Sequence, residues 1–222
     1  MMRPRIRDAL RTLAAAVPML AWACTPAFGA STDPGSNLAA YSVVKLHAGL
    51  NQPNLTFFGR HLSIVIGHRE NFNAHSFEVV TFYLSNGDLS KQLDIVGHWD
   101  QDKENLSLHV SGGADCLLHD FRLLKSNHAL LLVTADRSQL GTYIDNEQVT
   151  FKYYAFRKSA GGDPGGPAYW FDLIGQSVAK RFYCDVGIAL AHELELADYR
   201  SAPRPDGYWN SANAVSDKPT PR

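Results

Sequence analysis

The stretch Phe77-Glu78-Val79-Val80-Thr81-Phe82-Tyr83-Leu84 decides the fold class. β-Branched and aromatic residues dominate it, and these residue types favour the pleated, half-buried surface of a β-strand. Ser85-Asn86-Gly87-Asp88 follows, and an Asn-Gly pair tolerates the positive φ angles of a tight hairpin turn. Leu93–Trp99 is then the expected return strand. This hairpin predicts a sheet that is built from antiparallel strands.

Similar stretches lie on both sides of the hairpin. Further strands are predicted at Tyr41–His47, His61–Gly67, Leu106–Val110, Cys116–Leu124, His128–Ala135, Gln148–Arg157 and Tyr169–Ile174. One helix is expected late in the chain, because Asp185 suits an N-cap and apolar residues follow at helical spacing as far as Leu196. The sequence therefore predicts a mainly β (β-rich α+β) protein, with a single antiparallel, β-sandwich-like domain and one C-terminal helix.

The N-terminus has the features of a bacterial secretory signal peptide. A basic start is followed by an apolar run, Leu13–Ala23, and by the small residues of Ala27-Phe28-Gly29-Ala30. Signal peptidases require small side chains beside the cleaved bond, and cleavage after Gly29 or after Ala23 meets this requirement. A membrane anchor is one alternative, although the run is shorter than the roughly 20 residues of a spanning helix. A lipoprotein modified at Cys24 is another.

These features divide the chain into four parts. Residues 1–30 are assigned to the signal peptide, 31–40 to a polar leader, 41–199 to the β-rich domain and 200–222 to a disordered tail. The exported chain is expected to be periplasmic and to have no membrane segment after cleavage.

Charge argues against two classes of partner. The whole chain has a net charge of −1, and four arginines and one aspartate lie within residues 1–30. Removal of these residues would leave a domain with a charge of −4, without a basic run. Such a domain is not expected to bind nucleic acid, which requires neutralised phosphates, or an anionic membrane surface. An unknown small molecule or an envelope protein remains as the expected partner, and a homo-oligomer is compatible with the sequence.

Two cysteines, Cys116 and Cys184, lie outside the signal region. In an oxidising compartment a pair of cysteines is most simply explained by a disulfide bond. A bridge closing a loop of roughly 70 residues would stabilise the fold by at most about 4 kcal/mol. Two buried free thiols are an alternative, and a thiol that binds a metal or acts in catalysis is another.

The familiar catalytic and metal motifs are incomplete. Ser42-Val43-Val44-Lys45 and Ser177-Val178-Ala179-Lys180 have the Ser-x-x-Lys spacing of serine β-lactamases, but both lie in strand-like sequence without the partner motifs. His192-Glu193 begins like a zinc-binding helix motif, yet Leu196 stands where the second histidine is required. We therefore predict no catalytic residue, no metal and no cofactor. A zinc site formed by His109, Cys116, His119 and Asp120 remains an alternative only if Cys116 is not part of a disulfide bond.

The densest polar cluster lies between two strongly apolar strands. Loops held by a rigid sheet often carry binding groups, so this cluster is the candidate binding site. An exposed loop with local asparagine turns, and a metal or acid–base site, are the other interpretations. The candidate residues are His68, Arg69, Glu70, Asn71, Asn73 and His75.

Four stretches taken together resemble the CarG-like family of periplasmic carbapenem intrinsic-resistance proteins. They are His68–Phe77, Val79–Tyr83, Gly112–Leu124 and Tyr183–Val186. The most specific element is the pairing of Gly112-Gly113-Ala114-Asp115-Cys116 with the distant Tyr183-Cys184-Asp185-Val186. The resemblance implies a β-rich periplasmic protein that protects its producer against a carbapenem without being a recognised β-lactamase.

Three functions follow from these observations. The first is a periplasmic, non-catalytic protection or binding protein. The second is an immunity or inhibitor protein that binds a toxin or a cell-wall enzyme. The third and weakest is a hydrolase in which His68 or His75 acts as general base and Glu70 orients it. We expect the first, so the protein is not expected to be an enzyme.

Overall fold

The computed structural model describes residues 38–72, 75–100, 102–112, 116–161, 164–200 and 215–218. The chain divides into two units, Met1–Ser31 and Thr32–Arg222. The first unit, and with it the predicted signal peptide, lies outside the described residues. Within the described ranges, no helix is long and apolar enough to cross a membrane.

The described part of the chain contains thirteen strands and one α-helix, α1 (Val186–Leu194). The strands are β1 (Ser42–Val43), β2 (Gly49–Asn51), β3 (Thr56–Phe57), β4 (Arg60–Arg69), β5 (Phe77–Ser85), β6 (Asp94–Asp100), β7 (Lys103–Asn105), β8 (Leu108–Gly112), β9 (Leu117–Lys125), β10 (Leu130–Arg137), β11 (Glu147–Lys158), β12 (Tyr169–Tyr183) and β13 (Val215–Ser216). The predicted mainly β class with one helix near the C-terminus is confirmed.

The strands form one sheet that closes on itself. Its strand order is β2-β4-β5-β8-β9-β10-β11-β12-β6-β7, and β5 also pairs with β6. Strand β5 reaches both neighbours because Phe77–Val80 pair with β8 whereas Phe82–Leu84 pair with β6. Strands β5, β8, β9, β10, β11, β12 and β6 therefore make a closed ring, in which only the β6–β12 pair is parallel. The two layers expected of a sandwich are thus parts of the same curled sheet.

The hairpin after β5 is longer than the Asn-Gly pair predicts. The register pairs Leu84 with Asp94, and of the two turn residues only Gly87 has a positive φ, of 93°. The physical reason is a second turn directly downstream, in which the Asp88 carboxylate accepts hydrogen bonds from the amide (3.0 Å) and the hydroxyl (2.7 Å) of Ser90.

An aromatic core fills the ring. The ring of Phe82 on β5 lies 6.4 Å from that of Phe121 on β9 and 5.3 Å from that of Phe171 on β12, measured between centroids. All three side chains are almost fully buried. Burial of one such side chain stabilises the fold by about 1.5–3 kcal/mol, so this cluster joins distant strands firmly.

Helix α1 lies where the sequence predicts a helix, and it packs against the sheet. The Asp185 carboxylate caps it by accepting hydrogen bonds from the amides of Gly187 (2.7 Å) and Ile188 (3.2 Å). The second oxygen of the Asp185 carboxylate accepts a hydrogen bond from the amide of Leu117 at 3.1 Å, so the same side chain also stabilises the start of β9. The helix contacts β9, β10 and β12.

Cys116 and Cys184 form a disulfide with a Cα–Cα distance of 5.6 Å. This confirms the predicted bridge, and it excludes the free-thiol and metal-thiol alternatives. The zinc set that included Cys116 is therefore wrong, because a bridged sulfur does not bind zinc. The bridge joins the residue before β9 to the residue after β12, beside the Asp185 cap.

The ordered domain extends past both predicted boundaries. Leu38, from the predicted leader, is buried in the core, and a short 3₁₀ turn covers residues 38–40. At the other end, Arg200 forms a bridge with Leu46, and Val215–Ser216 pair with β12. The rest of the predicted disordered tail, 201–214 and 219–222, lies outside the described residues.

Candidate functional site

A cavity of about 630 Å³ lies between strands β6–β7 and strands β8–β11. Its volume falls within the roughly 300–1,000 Å³ that is typical of small-molecule sites. Its lining is formed by His98, Asp100, Asn105, Ser107, Leu108, His109, Ser111, His119, Asp120, Phe121, Thr134, Asp136, Arg137, Ser138, Thr150, Lys152 and Tyr154.

Strand register brings the polar lining together. His119 on β9 is opposite Asp136 on β10, and Asp136 is opposite Thr150 on β11. Because side chains alternate along a strand, these three share one face of the sheet, with Lys152 two residues beyond Thr150. Two rows further along, the same face of β9 and β10 carries the buried Leu123 and Leu132, so the polar residues of these two strands lie towards one end.

A histidine–carboxylate pair forms one wall of the cavity. The Asp136 Oδ1 atom lies 2.8 Å from His119 Nδ1, which fixes the orientation of the ring. On the other side of the ring, His119 Nε2 lies 3.3 Å from Gln139 Nε2. No hydroxyl of a described residue forms a hydrogen bond with His119, so the pair lacks the nucleophile of a Ser-His-Asp triad.

An ion pair forms the second polar wall. The Lys152 ammonium on β11 donates to Asp100 Oδ2 on β6, and both side chains are about one quarter to one third exposed. Tyr154 lies two residues from Lys152 and packs edge-on against His98 with 5.4 Å between ring centroids. The ionisable groups of the cavity lining are therefore three carboxylates, three imidazoles, one ammonium, one guanidinium and one phenol.

Burial disfavours the charged forms of two of these groups. Burial lowers the pKa of His98, although the nearby carboxylates of Asp100 and Asp136 act in the opposite direction. Burial also raises the pKa of Tyr154, and the charge of Asp100 raises it further. At neutral pH the His98 ring is thus neutral and the Tyr154 hydroxyl is protonated, so that both groups are available for neutral hydrogen bonds. Perturbed ionisable groups that converge in a cavity are typical of functional sites.

The sequence-predicted binding cluster lies elsewhere, at the β4–β5 hairpin. His68 and Arg69 belong to β4 and pair with Glu78 and Phe77 of β5. Arg69 lies over the Phe77 ring, with its guanidinium carbon 5.8 Å from the ring centroid. His75 packs on Tyr143 at 5.0 Å between ring centroids, and Asn73 lies outside the described residues.

Hydrogen bonds within the hairpin loop occupy its polar groups. Glu70 Oε1 accepts the hydroxyl of Ser76 at 2.7 Å and the amide of Phe72 at 2.6 Å, while His68 Nε2 lies 3.5 Å from Glu70 Oε2. These hydrogen bonds, the one from Ser76 first, lower the pKa of Glu70. The Asn71 amide donates to the carbonyl of His75 at 2.9 Å. None of the described loop residues lines the cavity, and a binding role for them stays a prediction.

The incomplete motifs have structural partners. Ser177 lies in β12, and its hydroxyl hydrogen-bonds to the hydroxyl of Tyr153 at 2.8 Å. Glu193 of the His-Glu pair accepts the hydroxyl of Tyr183 at 2.7 Å. Across the described ranges, no group of three or more histidine, cysteine, aspartate or glutamate side chains has the arrangement to hold a metal ion.

A buried ionic network lies next to the cavity, around Asp120 and Arg122 of β9. Asp120 points to the face opposite His119, where its carboxylate accepts the Arg122 guanidinium at 2.7 Å. Arg122 also donates to the carbonyl of Ala197, and its guanidinium lies over the Tyr199 ring. Arg200 lies 4.0 Å from Asp120. This network fastens residues 197–200 to β9.

Comparison with known proteins agrees with the fold and with the sequence resemblance. Residues 46–192, which include every residue of the cavity, match the family model "Carbapenem resistance protein CarG-like". The crystal structure of CarG superposes with a TM-score of 0.57 and 25% sequence identity, covering 71% of this chain and 99% of CarG. No curated protein matches. The chain therefore belongs to the CarG-like family of carbapenem resistance proteins.

Proposed function

We propose that this chain is an exported periplasmic protein that protects against a carbapenem without hydrolysing it, and that the cavity between β6 and β11 binds a small molecule in this role. One observation carries the proposal: charged and polar side chains from separate strands converge in a cavity of about 630 Å³. Such a cavity with a few convergent polar groups is the usual form of a ligand site.

The geometry supports a binding site more than a catalytic one. A general base must reach the group that it deprotonates, and here the outer nitrogen of His119 lies beside the amide of Gln139. The Lys152 ammonium is paired with Asp100, so it does not serve as a free base. His68 and His75, the sequence-based candidates, lie outside the cavity.

Export is supported by two features of the chain. The first 30 residues have the basic, apolar and small-residue segments of a signal peptide. The Cys116–Cys184 disulfide is of the kind that persists in oxidising compartments.

Two measurements on the same protein test the proposal. Deletion of the gene should raise carbapenem sensitivity, and overexpression should lower it. Purified protein incubated with the carbapenem should leave the absorbance of the bicyclic ring unchanged. Turnover of the ring would replace the proposal with a hydrolase, in which a His119→Gln variant should be inactive. Unchanged sensitivity in both strains would refute the protective role.

A second candidate, an immunity or inhibitor protein, is supported by exposed apolar side chains on two neighbouring loops. Phe72 is 95% exposed at the hairpin tip, and Leu140, Tyr143 and Ile144 are more than half exposed on the loop that touches His75. Apolar groups presented in this way are common at protein interfaces. A stoichiometric complex with a cell-wall enzyme or a toxin, lost in a Phe72→Ser/Leu140→Ser variant, would establish this function.

A further inference from the structure

We infer that the ligand of the cavity carries a protonated amine, which the carboxylates of Asp100 and Asp136 hold. The inference rests on one part of the proposed function, namely that a small molecule binds in this cavity. It goes further by naming the chemical group that the site selects.

The charges that face the cavity are unequal. Asp100 and Asp136 supply two negative charges, and Lys152 supplies one positive charge. The formal charges of these three side chains leave one negative charge in excess. A cationic group on the ligand would neutralise it.

The other two charged residues of the lining, Arg137 and Asp120, already have partners among residues that do not line the cavity. The Arg137 guanidinium donates to the carbonyls of residues 142, 143 and 145, and it interacts with the charges of Glu147, Asp145 and Asp185. Asp120 is paired with Arg122 at 2.7 Å, so its charge is already compensated. Neither residue changes the excess of negative charge inside.

Each carboxylate also retains an acceptor oxygen. Lys152 occupies Oδ2 of Asp100, and His119 occupies Oδ1 of Asp136. No described side chain donates a hydrogen bond to the second oxygen of either carboxylate. Their side chains are 31% and 41% exposed, so a ligand can reach these oxygens.

A primary ammonium matches this arrangement. It has three N–H donors and no acceptor, and each carboxylate oxygen offers lone pairs. Asp100, Asp136 and Tyr154 all line this cavity, and both carboxylates act electrostatically on the phenol. An ammonium there would donate to both carboxylates, and charge-assisted bonds of this kind are about twice as strong as neutral ones.

An anionic ligand fits the same space poorly. A carboxylate would meet the two aspartates, and it would have to displace Asp100 from Lys152 to gain a cationic partner. Carbapenems carry such a carboxylate. The antibiotic itself is therefore not the ligand that the charges of the cavity favour.

Calorimetric titration of the folded protein with matched probes tests the inference. The probes are benzylamine against benzyl alcohol, and glucosamine against glucose. Each amine should bind at least about tenfold more tightly than its hydroxyl partner, because one charge-assisted contact accounts for such a factor. Equal binding within either pair would overturn the inference.

Substitutions of the charged cavity residues should change the affinity for amines in opposite directions. Asp100→Asn and Asp136→Asn should each weaken amine binding about tenfold, and Lys152→Met should strengthen it because a competing cation is removed. Asp172→Asn, which removes a surface carboxylate paired with Arg157, is the matched control and should change nothing. Weaker amine binding by Lys152→Met would overturn the inference, and misfolding does not explain a gain in affinity.

Failure of this inference is distinguishable from failure of the proposed function. Binding of the carbapenem in the cavity, with no preference for amines, would overturn the inference and leave the protective role standing. Unchanged carbapenem sensitivity in the deletion and overexpression strains would remove the protective role, whatever the amines do.

Discussion

Asp120 provides the sharpest test of how the domain is held together. Its carboxylate is completely buried and accepts the guanidinium of Arg122, which is itself 1% exposed. The change Asp120→Asn keeps the size of the side chain and removes its charge. Arg122 would then be left as a buried cation without its carboxylate.

The structure sets the expected size of this effect. Breaking a buried ion pair by removing one partner destabilises a protein by about 3–5 kcal/mol. The lower part of that range applies here, because Arg122 keeps hydrogen bonds to the carbonyls of Phe121 (2.7 Å) and Ala197 (2.8 Å). We therefore expect Asp120→Asn to lower the free energy of unfolding by about 3 kcal/mol.

Urea unfolding followed by circular dichroism, with the disulfide intact, measures this loss. Asp198→Asn is the control, because Asp198 contacts Arg200 from a partly exposed position and such pairs contribute at most about 1 kcal/mol. The double variant Asp120→Asn/Arg122→Met removes both charges and should be more stable than Asp120→Asn alone. A loss below 1 kcal/mol for Asp120→Asn, or a double variant less stable than the single one, would refute the reasoning.

Three further predictions concern other parts of the molecule. The double change Cys116→Ser/Cys184→Ser should lower the free energy of unfolding by up to about 4 kcal/mol in urea titrations, since the bridge spans 68 residues; no loss would contradict this. Burial lowers the pKa of His98, so the folded state binds fewer protons than the unfolded state, whose histidine titrates near 6.5. The native protein should therefore lose stability relative to His98→Gln as the pH falls from 7 to 5, and a relative gain would be inconsistent with a neutral buried ring. The amide resonance of Phe72 should follow the titration of Glu70 with a midpoint below about 4.3, because Ser76 and Phe72 donate to its carboxylate; a midpoint at or above that value would mean that these bonds are absent in solution.

The fold class was predictable because its signals are local. Alternation in Phe77–Leu84 indicates a strand on its own, and Asp185 before an apolar stripe indicates a helix start. The disulfide was predictable because two cysteines outside the signal region leave one pairing. The closed ring was not, since the β5–β8 and β6–β12 pairings depend on contacts distant in sequence.

The sequence grouped His109, His119 and Asp120 of the lining only as a possible zinc set with Cys116, and the cavity as a whole was missed because most of its residues are unremarkable one by one. His119, Asp136 and Lys152 are each a polar side chain in a different strand, and only the register of β9, β10 and β11 brings them together. A signal was present nonetheless: polar residues recur on one face at corresponding ends of the successive strands. The loop at residues 68–76 attracted attention because its polar residues are adjacent in sequence, but their hydrogen bonds mostly close the loop itself.

The central claim is that protection against the carbapenem depends on the cavity. The most direct measurement is the carbapenem sensitivity of a deletion strain that expresses the native protein, Asp136→Asn, Lys152→Met or the surface control Asp172→Asn, each at equal abundance and with an unfolding midpoint close to native. The native protein and the control should restore resistance and Asp136→Asn should not, while Lys152→Met should change the level of resistance. Full restoration of native resistance by both cavity variants would contradict the central claim.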